Sequence, residues 1–244
     1  ITPATIGSPG LVNRPTLLGG SAASAADGHG KFAAGFGAAG GTCGPSARNC
    51  RPCWPRYRQS PPMIDPQHAD DLLARAEEIH SAAAVIAAID RVAAEIDRRL
   101  RHSVPLLLCV MNGGVPFAGA LLTRLRFPLD FDFLQVGRYG QGTRGGELSW
   151  RVSPATSVAG RTVLVIDDIL DQGVTLAAIH HRLRELGARE SLTAVLADKR
   201  LEQAKPIAAD FVALTVPNRF VFGYGMDVGE AWRNLPAIYA MPES

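Results

Sequence analysis

A chain of 244 residues with 47% hydrophobic content can bury one substantial core. Charges, Gly or Pro interrupt every apolar run before it reaches membrane-spanning length, so no membrane partner is expected. The formal net charge of +2 is unevenly spread: residues 1–62 carry six Lys/Arg against Asp27 alone, ahead of a mildly acidic remainder.

Residues 1–62 also hold eleven of the 25 glycines. Such a low-complexity, Gly/Ala/Pro/Ser-rich extension has little periodic apolar surface to offset the entropy of ordering, and disorder is expected there. Its Arg and Ser content resembles an organellar transit peptide, but Pro and Gly break any amphipathic helix of sufficient length. A diffuse basic tail is thin ground for a nucleic-acid partner, and none is expected. The folded domain is expected over 63–244, opening at Met63-Ile-Asp-Pro66, with a misplaced start codon as the favoured account of the tail. Cys50-Arg-Pro-Cys53 has a CxxC form, yet only Cys43 lies near it and no second CxxC follows, so no structural zinc site is expected.

From Asp65, an N-cap acid before Pro66, helical spacing runs to Ile79. A second helix over 83–100 places Val85, Ile89, Val92 and Ile96 on one face. Pro105 to Met111 reads as a buried strand, with Cys109 a small core residue, and Val115 to Leu125 as the helix that follows. Leu129 to Val136 and Leu148 to Val152 read as paired strands around a Gly/Arg-rich stretch. Thr162 to Ile166 is apolar without alternation, as a strand covered on both faces should be. A helix over 176–186 ends at Gly187, and strands follow at 192–197, 211–216 and 236–240. This α/β alternation predicts a mostly parallel sheet flanked by helices.

The run Val163-Leu-Val-Ile-Asp-Asp-Ile-Leu-Asp-Gln-Gly-Val-Thr175 carries the chemistry. Asp167 and Asp168 fall at the carboxyl end of the strand, where open α/β folds bind ligands. Asp171, Gln172, Gly173, Val174 and Thr175 then open a helix whose first-turn N–H groups and positive dipole end suit a phosphate. Adjacent carboxylates accept from vicinal ribose hydroxyls, directly or through Mg²⁺. Together these features describe a seat for ribose 5-phosphate.

The segment resembles the phosphoribosyl pyrophosphate (PRPP) motif of type I phosphoribosyltransferases. Further segments narrow the resemblance to hypoxanthine-guanine phosphoribosyltransferases, from about Met63 to the C-terminus. It implies the type I fold with a small hood and a flexible lid loop. Asn112-Gly113-Gly114 resembles the pyrophosphate loop, in which a non-proline cis peptide precedes the residue at position 112; many relatives carry Lys there. Gly137 to Gly146 resembles the lid, with Arg138-Tyr139 replacing the usual Ser-Tyr, and Tyr139 would cover the reacting centre.

For the purine, the resemblance implies that Lys199 donates to the 6-oxo oxygen, Phe220 stacks on the ring and Val221 reads its edge through the main chain. Asp227 would join Asp167 and Asp168 in binding Mg²⁺, and Arg233 would hold the pyrophosphate. Val228 stands where relatives often have Tyr. Asp171 would act as general base or proton-accepting partner near purine N7. The implied activity is purine salvage: PRPP plus hypoxanthine or guanine gives IMP or GMP and pyrophosphate. A xanthine-preferring enzyme and a non-catalytic PRPP-sensing regulator are the other readings. A cytoplasmic homodimer or homotetramer is the implied setting.

Overall fold

The computed structural model describes residues 64–138 and 148–242. Helix α1 (Pro66–Arg75) starts as expected, with the Asp65 carboxylate accepting from the Gln67 amide at 3.3 Å. It stops four residues short of Ile79. Ala76 turns extended, and Glu77–His80 instead forms strand β1, pairing antiparallel with β9 (Ile238–Ala240). Pairing with a distant strand has overridden local helical spacing.

Helix α2 (Ala82–Leu100) is capped by Ser81, whose hydroxyl accepts from the Ala84 amide. Its expected face is wholly inside: Val85, Ile89, Val92 and Ile96 are each 0% exposed. Burying four such side chains contributes about 1.5–3 kcal/mol apiece before entropy is counted. Strand β2 (Leu106–Val110) leads to α3 (Val115–Leu122), which ends three residues before Leu125 as the Arg124 and Leu125 amides both donate to Leu121. Strands β3 (Asp130–Arg138) and β4 (Leu148–Val152) are an antiparallel pair, as expected. Strand β5 (Thr162–Leu170) is followed by α4 (Val174–Glu185), β6 (Glu190–Lys199), β7 (Phe211–Val216), β8 (Val221–Phe222) and β9. Gly187, at φ +81°, terminates α4 while the Ala188 amide donates back to Leu183.

The main sheet runs β4-β3-β2-β5-β6-β7, parallel throughout except β4. Alternate strand residues feed two cores. Leu107, Cys109, Leu164 and Ile166 pack with α2 and α3, whereas Leu106, Leu108, Val163 and Val165 pack with α4. Successive strands step outward from β2 in one direction and from β5 in the other. Their neighbouring carboxyl ends are therefore the reversal point at which open parallel sheets leave a crevice. Strands β1, β9 and β8 form a separate antiparallel sheet. The two-residue β8 was not legible from periodicity, and β9 is shorter than the expected 236–240.

Candidate active site at the β2/β5 crevice

The chain leaving β5 turns at Gly173, which takes φ +79°, a conformation open to Gly at little cost, and enters α4 directly. Residues from Asp167 to Leu176 line a cavity of about 220 Å³. Its wall includes the first turn of α4, where helical amides lack intrahelical partners. Asp171, Gln172, Gly173, Val174 and Thr175 thus line one continuous wall whose unpaired amides suit an anion.

Asp167 is buried, and its carboxylate accepts from the Asp168 amide at 2.9 Å. Burial pushes both acids above the usual carboxylate range, and the neighbouring charge of Asp168 pushes Asp167 further. For Asp168 the rise is opposed by hydrogen bonding from its surroundings and by the Arg233 guanidinium. A carboxylate pair in that condition favours a cationic or hydroxylic ligand. The same burial, reinforced by the two aspartates, raises the Cys109 thiol to about 12, in keeping with an inert core residue.

At the end of β2, the peptide between Met111 and Asn112 is cis, as the resemblance implies. Gly113 lies so close to Asp168 that a Cβ there would overlap the carboxylate. At Gly114 a Cβ would come within 2.8 Å of the carbonyl oxygens of both Val110 and Ile166. These glycines let the β2 loop rest on the β5 loop. A third backbone joins them: a Cβ on Gly225, at φ +108°, would strike the Gly113 carbonyl.

Gly225 and Arg233 are tied in both directions. The Gly225 amide donates to the Arg233 carbonyl at 2.8 Å, and Arg233 Nη1 donates to the Gly225 carbonyl at 2.7 Å. Arg233 Nη2 also meets Asp227 Oδ1 at 2.6 Å, while Asp227 Oδ2 accepts from the Glu230 amide at 2.8 Å. Trp232, in a left-handed conformation, donates through Nε1 to the Ala69 carbonyl and so anchors this segment to α1.

At the end of β6, Lys199 Nζ lies 3.2 Å from Asp171 Oδ2. Lys199 pairs with Val216 across the β6–β7 ladder, and the chain reaches Phe220 four residues after Val216. Phe220 is 55% exposed, an unusual position for a large aromatic, while Val221 is buried in β8. Asn112, Gly113, Asp167, Asp168, Asp171 to Thr175, Lys199, Asp227 and Arg233 thus gather around the crevice. Phe220 and Val221 stand at the start of the small sheet. Tyr139 lies outside the described residues, as do the tail and its cysteines; Arg138 is described only as the last residue of β3.

The three expected metal ligands do not form a closed cage: among the described residues no group of three His, Cys, Asp or Glu side chains could hold an ion unaided. Asp227 is engaged by Arg233 instead. An adjacent carboxylate pair beside a phosphate cradle nevertheless fits Mg²⁺, which keeps waters and binds through one or two carboxylates plus substrate oxygens. Sequence reading missed Lys205, whose ammonium donates to Leu170 and Asp198 at the foot of the cradle. A lysine before a proline in a loop carries no periodic signal.

A parallel sheet with a glycine loop on one side of its reversal point and an acid-acid-cradle run on the other defines the phosphoribosyltransferase class. The family description "Phosphoribosyl transferase domain" matches residues 75–228. The hypoxanthine-guanine phosphoribosyltransferase of Bacillus subtilis strain 168 is 36% identical over 151 residues, covering 62% of this chain and 84% of that protein. Its counterpart in Streptococcus thermophilus strain CNRZ 1066 is 37% identical over 140 residues, covering 57% and 78%. Among solved structures, a hypoxanthine phosphoribosyltransferase from Staphylococcus aureus superposes with a TM-score of 0.66 at 27% identity, over 73% of this chain and 96% of that one. The chain belongs to the hypoxanthine-guanine phosphoribosyltransferase family.

Proposed function

We propose that this protein salvages purines, transferring the 5-phosphoribosyl group of PRPP to N9 of hypoxanthine or guanine and releasing pyrophosphate. The observation that carries this reading is the close approach of Gly113 to the Asp168 carboxylate, beside the cradle and the Asp171–Lys199 pair. Activated sugar, leaving group and base then share one rim of the sheet.

In this mechanism the amides of Gln172 to Thr175 and the Thr175 hydroxyl hold the 5-phosphate, and Asp167 and Asp168 accept from the ribose hydroxyls. Asn112, the Gly113 amide and Arg233 hold the pyrophosphate end. Lys199 donates to the 6-oxo oxygen, which selects against adenine because a 6-amino group would set donor against donor. Phe220 stacks on the ring, contributing about 1–3 kcal/mol as base–aromatic contacts do, and the Val221 main chain reads the edge. As the C1–O bond breaks ahead of C1–N9 bond formation, the proton of the purine moves to the Asp171 carboxylate. The covering role that the resemblance gives Tyr139 falls outside the described residues.

Mg²⁺, held by Asp167 and Asp168 with Asp227 nearby, would supply charge compensation for the departing diphosphate. Its fit rests on the donor chemistry described above. The setting we propose is a cytoplasmic homodimer or homotetramer. The exposed Phe131, Phe133 and Val152 on one face of β3 and β4 offer apolar surface for a second copy.

Steady-state kinetics with PRPP, Mg²⁺ and each of hypoxanthine, guanine, xanthine and adenine test the reading. Turnover of hypoxanthine and guanine but not adenine is expected. Preference for xanthine would transfer the assignment to that base. Binding of PRPP without turnover of any oxopurine would leave a regulator in place of an enzyme.

A further inference from the structure

Lys205 lies between β6 and β7 with its side chain only 14% exposed, deep burial for a lysine. Nζ donates to the Leu170 carbonyl at 2.7 Å and to Asp198 Oδ1 at 2.5 Å. Leu170 and Asp198 are partners in the β5–β6 ladder, so one ammonium spans the last rung of that pairing. The residue after each is part of the chemistry: Asp171 follows Leu170, Lys199 follows Asp198, and these two meet at 3.2 Å. The next residues of the loop also press on the cradle. A Cβ at Gly173 would lie 3.3 Å from Pro206 Cδ and 3.4 Å from Ile207 Cγ2.

We propose that Lys205 is a positioning residue for phosphoribosyl transfer, tying the ends of β5 and β6 together so that Asp171, Lys199 and the Gly173 turn are held in register. The inference rests on the reading of the site given above. A carbonyl and a carboxylate both need a donor, and an ammonium supplies three and accepts none. Its bonds are charge-assisted, stronger than those an amide or hydroxyl would make. It also neutralises Asp198, which would otherwise set a second uncompensated charge beside Asp171 where an anionic sugar has to dock. Adjacent strand residues point to opposite faces, so Asp198 and Lys199 can each keep a separate partner.

The test compares Lys205→Met and Lys205→Arg in the full-length chain. Lys205→Met keeps the aliphatic stem and removes the donors. Its KM for PRPP is expected to rise about tenfold and its kcat to fall by about as much, the scale of losing a charged hydrogen bond. Lys205→Arg, which can still donate to both oxygens, is expected to recover most of that loss. Hydrogen–deuterium exchange of the peptide spanning residues 169–176, in protein without substrate, is expected to accelerate in Lys205→Met and not in Lys205→Arg. If Lys205→Met does not fold, Lys205→Gln carries the same comparison, because its amide can serve only one acceptor well. A lowered Tm with KM, kcat and exchange all within about twofold of the parent would reduce Lys205 to a stability residue and overturn the proposal. The exchange measurement needs no turnover. It decides the role of Lys205 even if the parent protein proved silent toward every oxopurine, a result that would count against the proposed reaction alone.

Discussion

Asp171 already pairs with Lys199, so in the proposed reaction a purine entering between them would take over both partners at once. Replacing Asp171 with Asn removes the proposed proton acceptor and keeps the shape. The expected result is a kcat lower by about a hundredfold with KM for PRPP within about threefold, measured in initial-rate assays. Gly225 is a different kind of residue, required by space. Its φ of +108° and its contact with the Gly113 carbonyl leave no room for a methyl group. Gly225→Ala is expected to cost at least about 2 kcal/mol in urea unfolding, through strain plus displacement of the β2 loop. Asp167 to Thr175 could be read directly from sequence because all the parts of the cradle are contiguous in the chain. The Gly113–Gly225 contact and the Lys205 bridge join residues far apart or inside a featureless loop, and only the folded chain shows them.

At the scale of elements, α2 and the parallel strands were legible because each buries a side-chain pattern of its own. Strand β1 was not: Glu77-Glu-Ile-His80 has no strand pattern, and only β9, more than 150 residues away, makes it a strand. Helix α4 holds a buried polar contact that links its stability to pH. His180 Nδ1 lies 2.7 Å from Ser191 Oγ, and Nε2 lies 2.5 Å from Thr193 Oγ1, both on β6. Burial lowers the pKa of His180; Asp210 opposes the shift and Arg184 adds to it. The unfolded chain therefore binds this proton more readily than the folded one. The stabilisation is full above the ordinary histidine value of about 6.5 and is lost as pH falls below it towards the folded value. In His180→Gln, the fall in Tm between about pH 7 and pH 5 is expected to be shallower than in the parent, as thermal melts across that range would show.

For the whole molecule, every described residue of the candidate site lies between Asn112 and Arg233, and the family match spans 75–228. Trp232 reaches as far back as Ala69, and β1 closes on β9, so the N-terminal part of the described region is needed to seat the small sheet. We propose that a chain beginning at Met63 keeps kcat/KM for hypoxanthine within about twofold of the full chain, as parallel assays would reveal. A larger loss would give residues 1–62 a part in the reaction. The small sheet was harder to see, since its three strands have only two to four residues each and pair across most of the length of the chain.

The close approach of Gly225 to the Gly113 carbonyl has a bearing on how new specificities could be engineered. Gly225, in the segment that carries Asp227 and Arg233, packs directly against the Gly113 carbonyl, whereas Phe220 stands 55% exposed just before β8. Under the proposed function, Phe220 would meet the nucleobase while the Gly113 loop and Arg233 would meet the departing diphosphate. Substituting Phe220 with Leu or Trp is expected to shift Michaelis constants among oxopurines several-fold, about the scale of one stacking contact, while inhibition by added pyrophosphate stays where it was. That outcome would make the acceptor side adjustable without loosening the grip on the donor.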